Sequence, residues 1–128
     1  MTDRILIADD EPNILVSLDY LLQREGFEVH LARDGNEALA KLQQLRPRLV
    51  LLDVMMPHRT GFEVCQALRA DEALRHTLVL MLTAKGRETD QAKGLAMGAD
   101  AYITKPFSTR ALVQTVRQLL DSSRPVRP

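Results

Sequence analysis

The chain has 128 residues, which fits one domain and leaves little room for a second with its own core. Apolar residues make up 45% of it against 27% charged ones, which supports a packed core and excludes a disordered or fibrous chain. Its 17 Lys and Arg balance 17 Asp and Glu, so net charge gives no reason to expect a protein that coats nucleic acid or lies on a membrane.

Short apolar runs alternate with amphipathic segments, with turn-forming residues at the joints, which predicts a βα ladder of about five repeats. The start does not join a basic region to a long apolar one, and no run approaches the ~18 apolar residues of a membrane span, so no export or anchoring signal is expected. Ile5-Leu6-Ile7-Ala8 is continuously apolar, as suits a strand covered by helices on both faces of a parallel sheet. Pro12 sits where a first-turn proline is tolerated, and Ile14, Leu15, Leu18, Leu21 and Leu22 follow at helical spacing until Gly26. Phe27 to Leu31 instead alternates, with Glu28 and His30 on one face, which predicts an edge strand.

Asp34 with Glu37, and later Thr60 with Glu63, match capping boxes that start two further helices. Between them Leu49-Val50-Leu51-Leu52 is a second central strand. The lone Cys65 lies in the third helical pattern, where it serves as a small apolar side chain; with no partner for an internal disulfide it suits a reducing cytoplasm. Leu78-Val79-Leu80-Met81-Leu82 is the third central strand. A weaker helix is predicted from about Arg87 to Met97, ended by Gly98. Gly94 inside it lowers its propensity by about 1 kcal/mol relative to alanine, which singles it out as the mobile helix. Ala101-Tyr102-Ile103-Thr104 ends at Lys105-Pro106, and proline confines that strand to the other edge. The last helix begins after Ser108, with Leu112, Val113, Val116, Leu119 and Leu120 facing inward. The predicted domain is residues 1–121, and residues 122–128, with two prolines, two arginines and no apolar period, read as a linker or frayed end.

In open parallel α/β sheets, ligands bind beyond the carboxyl ends of the strands. Those ends carry Asp9-Asp10-Glu11, Asp53, Thr83 and Lys105-Pro106. Carboxylates at Asp9, Asp10 and Asp53 repel one another unless a cation shares the site. Oxygen donors without a nearby cysteine or histidine favour magnesium, or manganese, over zinc. Lys105 adds a further positive charge, so the formal charges cancel and leave Asp53 as a carboxylate beside a Lewis acid and an amine. Such a site accepts a phosphoryl group, because phosphoryl transfer needs chiefly positioning and neutralisation of the equatorial oxygens, and Thr83 is placed to donate a hydrogen bond to one of them. Singly, each residue has a bland explanation: an acidic pair before a helix complements its dipole, and a lysine at a strand end is usually solvated. The joint pattern on one rim is the signal. His30, His58 and His76 are scattered without metal-binding spacing, and Met56 and Phe107 are read as packing residues.

From Arg4 to Leu120 the chain resembles the receiver domain of bacterial two-component response regulators, the chemotaxis-type fold. The resemblance rests on Ile5 through Pro12 (ILIADDEP), Leu51 through Pro57 (LLDVMMP), Leu82-Thr83-Ala84, and Gly98 through Phe107 (GADAYITKPF). It implies a doubly wound, five-stranded parallel α/β sheet of order 2-1-3-4-5 with five helices in three layers. It implies that Asp53 accepts a phosphoryl group from the phosphohistidine of a sensor histidine kinase or phosphotransfer protein. Asp9, Asp10 and Asp53 would hold magnesium, with the Met55 backbone carbonyl as a further ligand. Thr83 and Lys105 would bind the acyl phosphate, Lys105-Pro106 would be a cis peptide, and Tyr102 would be the aromatic switch partner of Thr83. The fourth helix, fifth strand and fifth helix would meet an output domain or partner, with no nucleic acid or membrane contact by this domain and a cytoplasmic location.

The sequence also departs from the pattern. His58-Arg59-Thr60-Gly61 stands where many relatives carry Gly-Met-Asp-Gly. Met55 and Lys85 occupy the two positions that tune hydrolysis in the family, and an apolar group beside a long cation predicts a long-lived phosphoryl group. Some relatives form phosphorylation-dependent dimers through cross-subunit ion pairs. Gln91, Ala101, Ala111 and Thr115 replace charged partners used in that dimer, while Lys93, Asp100 and Arg117 remain, so a monomer is weighed beside the dimer. Two rival functions are weighed. A magnesium-dependent aspartyl-phosphate phosphatase-like enzyme would carry an Asp-x-Asp nucleophile loop, and a flavin carrier of the same strand order would carry a Ser/Thr/Gly-rich phosphate loop with flanking aromatics; this chain has neither loop and only 4% aromatics.

Overall fold

Strands and helices alternate along the chain: β1 (Arg4–Ala8), α1 (Pro12–Arg24), β2 (Glu28–Ala32), α2 (Gly35–Leu45), β3 (Leu49–Asp53), α3 (Gly61–Ala70), β4 (Leu78–Ala84), α4 (Glu88–Ala96), β5 (Ala101–Lys105) and α5 (Thr109–Ser122). The computed structural model describes residues 2–84 and 88–122. All neighbouring strands are parallel, in the order β2-β1-β3-β4-β5, so the three continuously apolar runs are central and the other two strands form the edges.

Side chains alternate across each strand, and this divides the core into two layers. Ile5, Ile7, Leu49, Leu51, Leu80 and Leu82 face α1 and α5, meeting Leu15, Leu18, Leu22, Leu112, Val116 and Leu120. Leu6, Ala8, Val50, Leu52, Val79 and Met81 face the opposite way, toward Ala38 and Leu42 of α2 and Val64, Cys65 and Leu68 of α3. Every residue of β3 is buried, which explains why no polar alternation marks that strand. On the β2 edge Glu28 takes an ion pair from Arg4 at 2.9 Å and meets His30 Nε2 at 2.8 Å, so His30 has a structural partner there. Cys65 is buried, with its thiol directed at Met97 O at 3.6 Å. Met56 is also core, packed beside Phe62 and Val64, and Phe107 packs against the α1–α5 layer.

The helix starts differ in one detail from expectation. At α3 both halves of the capping box form, Thr60 Oγ1 accepting the Glu63 amide and Glu63 Oε1 accepting the Thr60 amide. At α2, Asp34 Oδ1 accepts the Glu37 amide at 2.8 Å, but Glu37 Oε1 takes the amide of Arg33, one residue before the cap, at 3.1 Å. The more extended cap backbone, with φ −152° at Asp34 against −71° at Thr60, leaves a different N–H within reach of the glutamate. α5 runs through Ser122, one residue past the predicted domain limit, and Arg48 at the entrance to β3 ties its end down by donating to Leu120 O at 3.0 Å while pairing with Asp3 at 3.1 Å. The expected start of α4 at Arg87, the Lys85 position and the tail beyond Ser122 lie outside the described residues.

Gly94 of α4 faces Met81 of β4 and Phe62 of α3. A Cβ there would stand 3.4 Å from Met81 Cγ and 3.7 Å from Phe62 Cε1, ordinary van der Waals contact.

Candidate functional site

Parallel pairing brings the carboxyl ends of the central strands and β5 to one rim. Asp9 and Asp10 follow β1, Asp53 is the last residue of β3, Thr83 stands next to last in β4 and Lys105 ends β5. The register sets Asp53 opposite Leu82, and Thr83 and Ala84 opposite Thr104 and Lys105. Apolar residues before each of these groups anchor the strand in the core, which fixes the position of the polar group at its tip.

Ligand oxygens of Asp9, Asp10 and Asp53 lie within 4.8 Å of one another. Asp9 is fully buried, Asp53 nearly so, and Asp10 is exposed. The Lys105 ammonium sits 2.7 Å from Asp9 Oδ2 and 3.4 Å from both Asp53 Oδ1 and Glu11 Oε1. Asp9 Oδ1 accepts the Glu11 amide at 2.9 Å, and Asp53 Oδ1 takes a long hydrogen bond from the Met55 amide at 3.4 Å. Burial, and then the negative charge of Asp9, push the Asp53 carboxyl up to about 7, against the opposing pull of Lys105 and the Met55 amide. Lys105 is held above its usual value: burial works to lower it and is outweighed by its contact with Asp9 and by the charges of Asp53 and Glu11.

These residues suit a hard divalent cation. Asp9 Oδ2 is a buried oxygen with no well-formed hydrogen bond, and among the described residues the Lys105 ammonium alone faces more carboxylates than it can neutralise. Asp10, Glu11, Asp53, Met55, Asp90 and Lys105 line a cleft of about 290 Å³ over the rim. A larger groove of about 560 Å³ between α1 and α2 is lined by Leu15, Val16 and Leu31 and shares only Asp10 with the acidic cluster, so volume alone does not mark the chemistry.

Thr83 is fully buried, with its hydroxyl making a long contact to Ile103 O at 3.5 Å, and Tyr102 is 42% exposed. The Lys105-Pro106 peptide is cis. Met55 is exposed at the lip of the cleft. His58 adopts φ +70°, a left-handed conformation that favours glycine. Arg59 anchors the same loop to α2 through a 2.9 Å hydrogen bond from Nε to Asn36 Oδ1.

Three contacts escaped the sequence reading. Glu11 belongs to a quoted motif but its contact with Lys105 spans 94 residues, and Asp90 is a buried α4 residue with no motif around it. Gly61 is the third: its N–H donates to Val54 O at 2.9 Å, and a Cβ there would stand 2.5 Å from Asp53 O. Only glycine lets the start of α3 approach the backbone of Asp53 so closely.

A doubly wound sheet with acids and Lys105 gathered at its carboxyl rim defines a signalling domain of the two-component type. The family model for the response regulator receiver domain matches residues 5–117, and the chain belongs to that family. Over all of its length it is 44% identical to the alkaline phosphatase synthesis transcriptional regulatory protein PhoP of Bacillus subtilis, of which it covers 52%. The chain therefore spans about half the length of this curated relative. Chemotaxis response regulator CheY4 of Vibrio cholerae is 36% identical, with a TM-score of 0.88 over 93% of this chain and 99% of that one. A CheY-like receiver domain protein from Methanospirillum hungatei is 32% identical, with a TM-score of 0.89 over 96% of this chain and 97% of that one. Among the described residues no helix is long and apolar enough to cross a membrane.

Proposed function

We propose that Asp53 is the phosphoacceptor of a cytoplasmic phosphorelay, taking its phosphoryl group from the phosphohistidine of a sensor histidine kinase or phosphotransfer protein. The observation that carries this reading is the nearly buried Asp53 carboxylate, 3.4 Å from the Lys105 ammonium and clustered with Asp9 and Asp10. Asp9, Asp10, Asp53 and the backbone carbonyl of Met55 would hold the cation, magnesium or manganese. When bound, it supplies positive charge that offsets the acids and the incoming phosphoryl oxygens.

Asp53 attacks phosphorus in line. A P–O bond forms to its carboxylate while the P–N bond to the donor imidazole breaks, and the imidazole leaves with the electron pair of that bond. Lys105 then shares its charge with a phosphoryl oxygen, and Thr83 turns its hydroxyl from Ile103 O to donate to another. The volume Thr83 vacates admits the Tyr102 ring, which is exposed at present, so the surface formed by α4, β5 and α5 changes shape toward an output domain or partner. The chain acts as a signalling module that catalyses its own modification and dephosphorylation, without a free metabolic substrate.

Phosphotransfer from acetyl phosphate or a partner kinase to the wild type and to Asp53→Asn tests this. Incorporation is expected to disappear in the variant. Undiminished labelling would move the acceptor to another residue.

A further inference from the structure

Glu11 has a place in the cleft that the roles assigned so far do not use. It is the N-cap residue of α1, yet its side chain makes no capping hydrogen bond. Its backbone carbonyl accepts the amides of Ile14 and Leu15, while the carboxylate turns across the cleft to Lys105. The ammonium is thereby shared among three carboxylates of unlike exposure: the side chains of Asp9 and Asp53 are 0% and 9% exposed, and that of Glu11 is 60% exposed. Glu11 thus stands on the solvent side of the lysine, where phosphoryl oxygens of a donor must arrive.

We infer that Glu11 is a specificity-determining residue that shields Lys105 from free, highly charged phosphodonors. The inference rests on the reading of Asp53 as acceptor. A small dianion approaching the ammonium meets a full negative charge beside it, and the repulsion grows with the donor's own charge. A protein donor that carries a cation near its phosphohistidine pairs with Glu11 instead and draws it off the lysine. The barrier therefore falls on small dianions and spares such a donor.

Two small donors of different charge separate this from a structural role. Acetyl phosphate is a dianion near neutral pH, whereas phosphoramidate is there a zwitterion with one net negative charge. Labelling rates of the full chain are measured in Mg²⁺ with each donor, at low and high salt, for wild type, Glu11→Gln and Glu11→Asp. At low salt Glu11→Gln is expected to speed labelling by acetyl phosphate by a factor of about 3 to 10 and by phosphoramidate by less than about 2, with the gap closing at high salt. Glu11→Asp, which keeps the charge, is expected to remain close to wild type. Equal changes with both donors, or none, would overturn the inference while leaving Asp53 as acceptor. Absence of label on Asp53 of the wild type with either donor would overturn the underlying reading instead.

Discussion

At Asp53, burial and the charge of Asp9 hold a carboxyl up to about 7, well above the usual carboxylate range. In the metal-free protein this couples folding to pH. Below about pH 4 the group is protonated in both the folded and the unfolded chain; between there and about pH 7 the unfolded chain ionises while the folded one keeps its proton. The favourable contribution is therefore present in full at low pH and is lost as pH rises through that window. Asp53→Asn removes the titrating group, so in chelator its melting temperature should exceed that of the wild type by more at about pH 8 than at about pH 5. Adding Mg²⁺ should raise the melting temperature of the wild type, by an amount equivalent to about 2.7 kcal/mol at a hundred times the dissociation constant, and of the variant by less. Thermal unfolding at the two pH values checks both; a difference independent of pH would show that Asp53 is ordinary. The strand-end residues of this site, Asp9, Asp10, Asp53, Thr83 and Lys105, were legible as polar groups at the carboxyl ends of strand-forming runs. The reach of Glu11 to Lys105 and the place of Asp90 in the same cleft were not, since only the folded chain shows them.

Among the elements, Arg69 ties the turn between α4 and β5 to α3 and to the entrance of β4. Arg69, near the end of α3, donates to Gly98 O from Nε at 3.0 Å and from Nη2 at 2.7 Å, and to Thr77 O from Nη1 at 2.6 Å. It also donates to Arg75 O at 2.8 Å and pairs with Asp100 Oδ2 at 2.9 Å, and that same carboxylate oxygen accepts the Val79 amide. The carboxyl end of α4 is thus fixed to α3 and β4, and a rearrangement of α4 must pivot about that end. Arg69→Ala should destabilise the domain by about 1–3 kcal/mol, seen as a lower denaturant midpoint at unchanged slope, with faster amide exchange in the turn at residues 97–100. Arg69→Lys should recover little, because one ammonium cannot reproduce the planar fork. An unchanged midpoint in the alanine variant would dismiss the clamp. Apolar runs and capping pairs made the elements readable to within a residue or two. Gly94 was readable only for its cost to helix propensity; that it faces Met81 and Phe62 is a relation between elements.

For the whole molecule, the three charges that survive from the ion-paired dimer of related regulators are engaged within the chain. Asp100 is held by Arg69, Arg117 pairs with Glu25 at 2.6 Å and lies over Phe27, and Lys93 lies 4.7 Å from the centre of the Phe62 ring. Cross-subunit pairs would first have to break these contacts. Sedimentation at micromolar concentration is therefore expected to show the same monomer with and without a beryllofluoride mimic of the phosphoryl group; a salt-sensitive dimer would show that Asp100 or Arg117 leaves its internal partner. The strand order and the two-layered core were implied by the resemblance and by the apolar runs, whereas the internal engagement of these charges depends on packing that no spacing encodes.

The tie from Arg48 to Leu120 places the end of α5 beside the entrances of β1 and β3, at the pole away from Asp53. Five strand residues at ~3.3 Å each set roughly 17 Å between the two poles. The described end of α5, at Ser122, therefore stands on the side of the molecule opposite Asp53. On the reading of Asp53 as phosphoacceptor, a change at that carboxylate reaches the end of α5 only through the sheet and the helices packed on it.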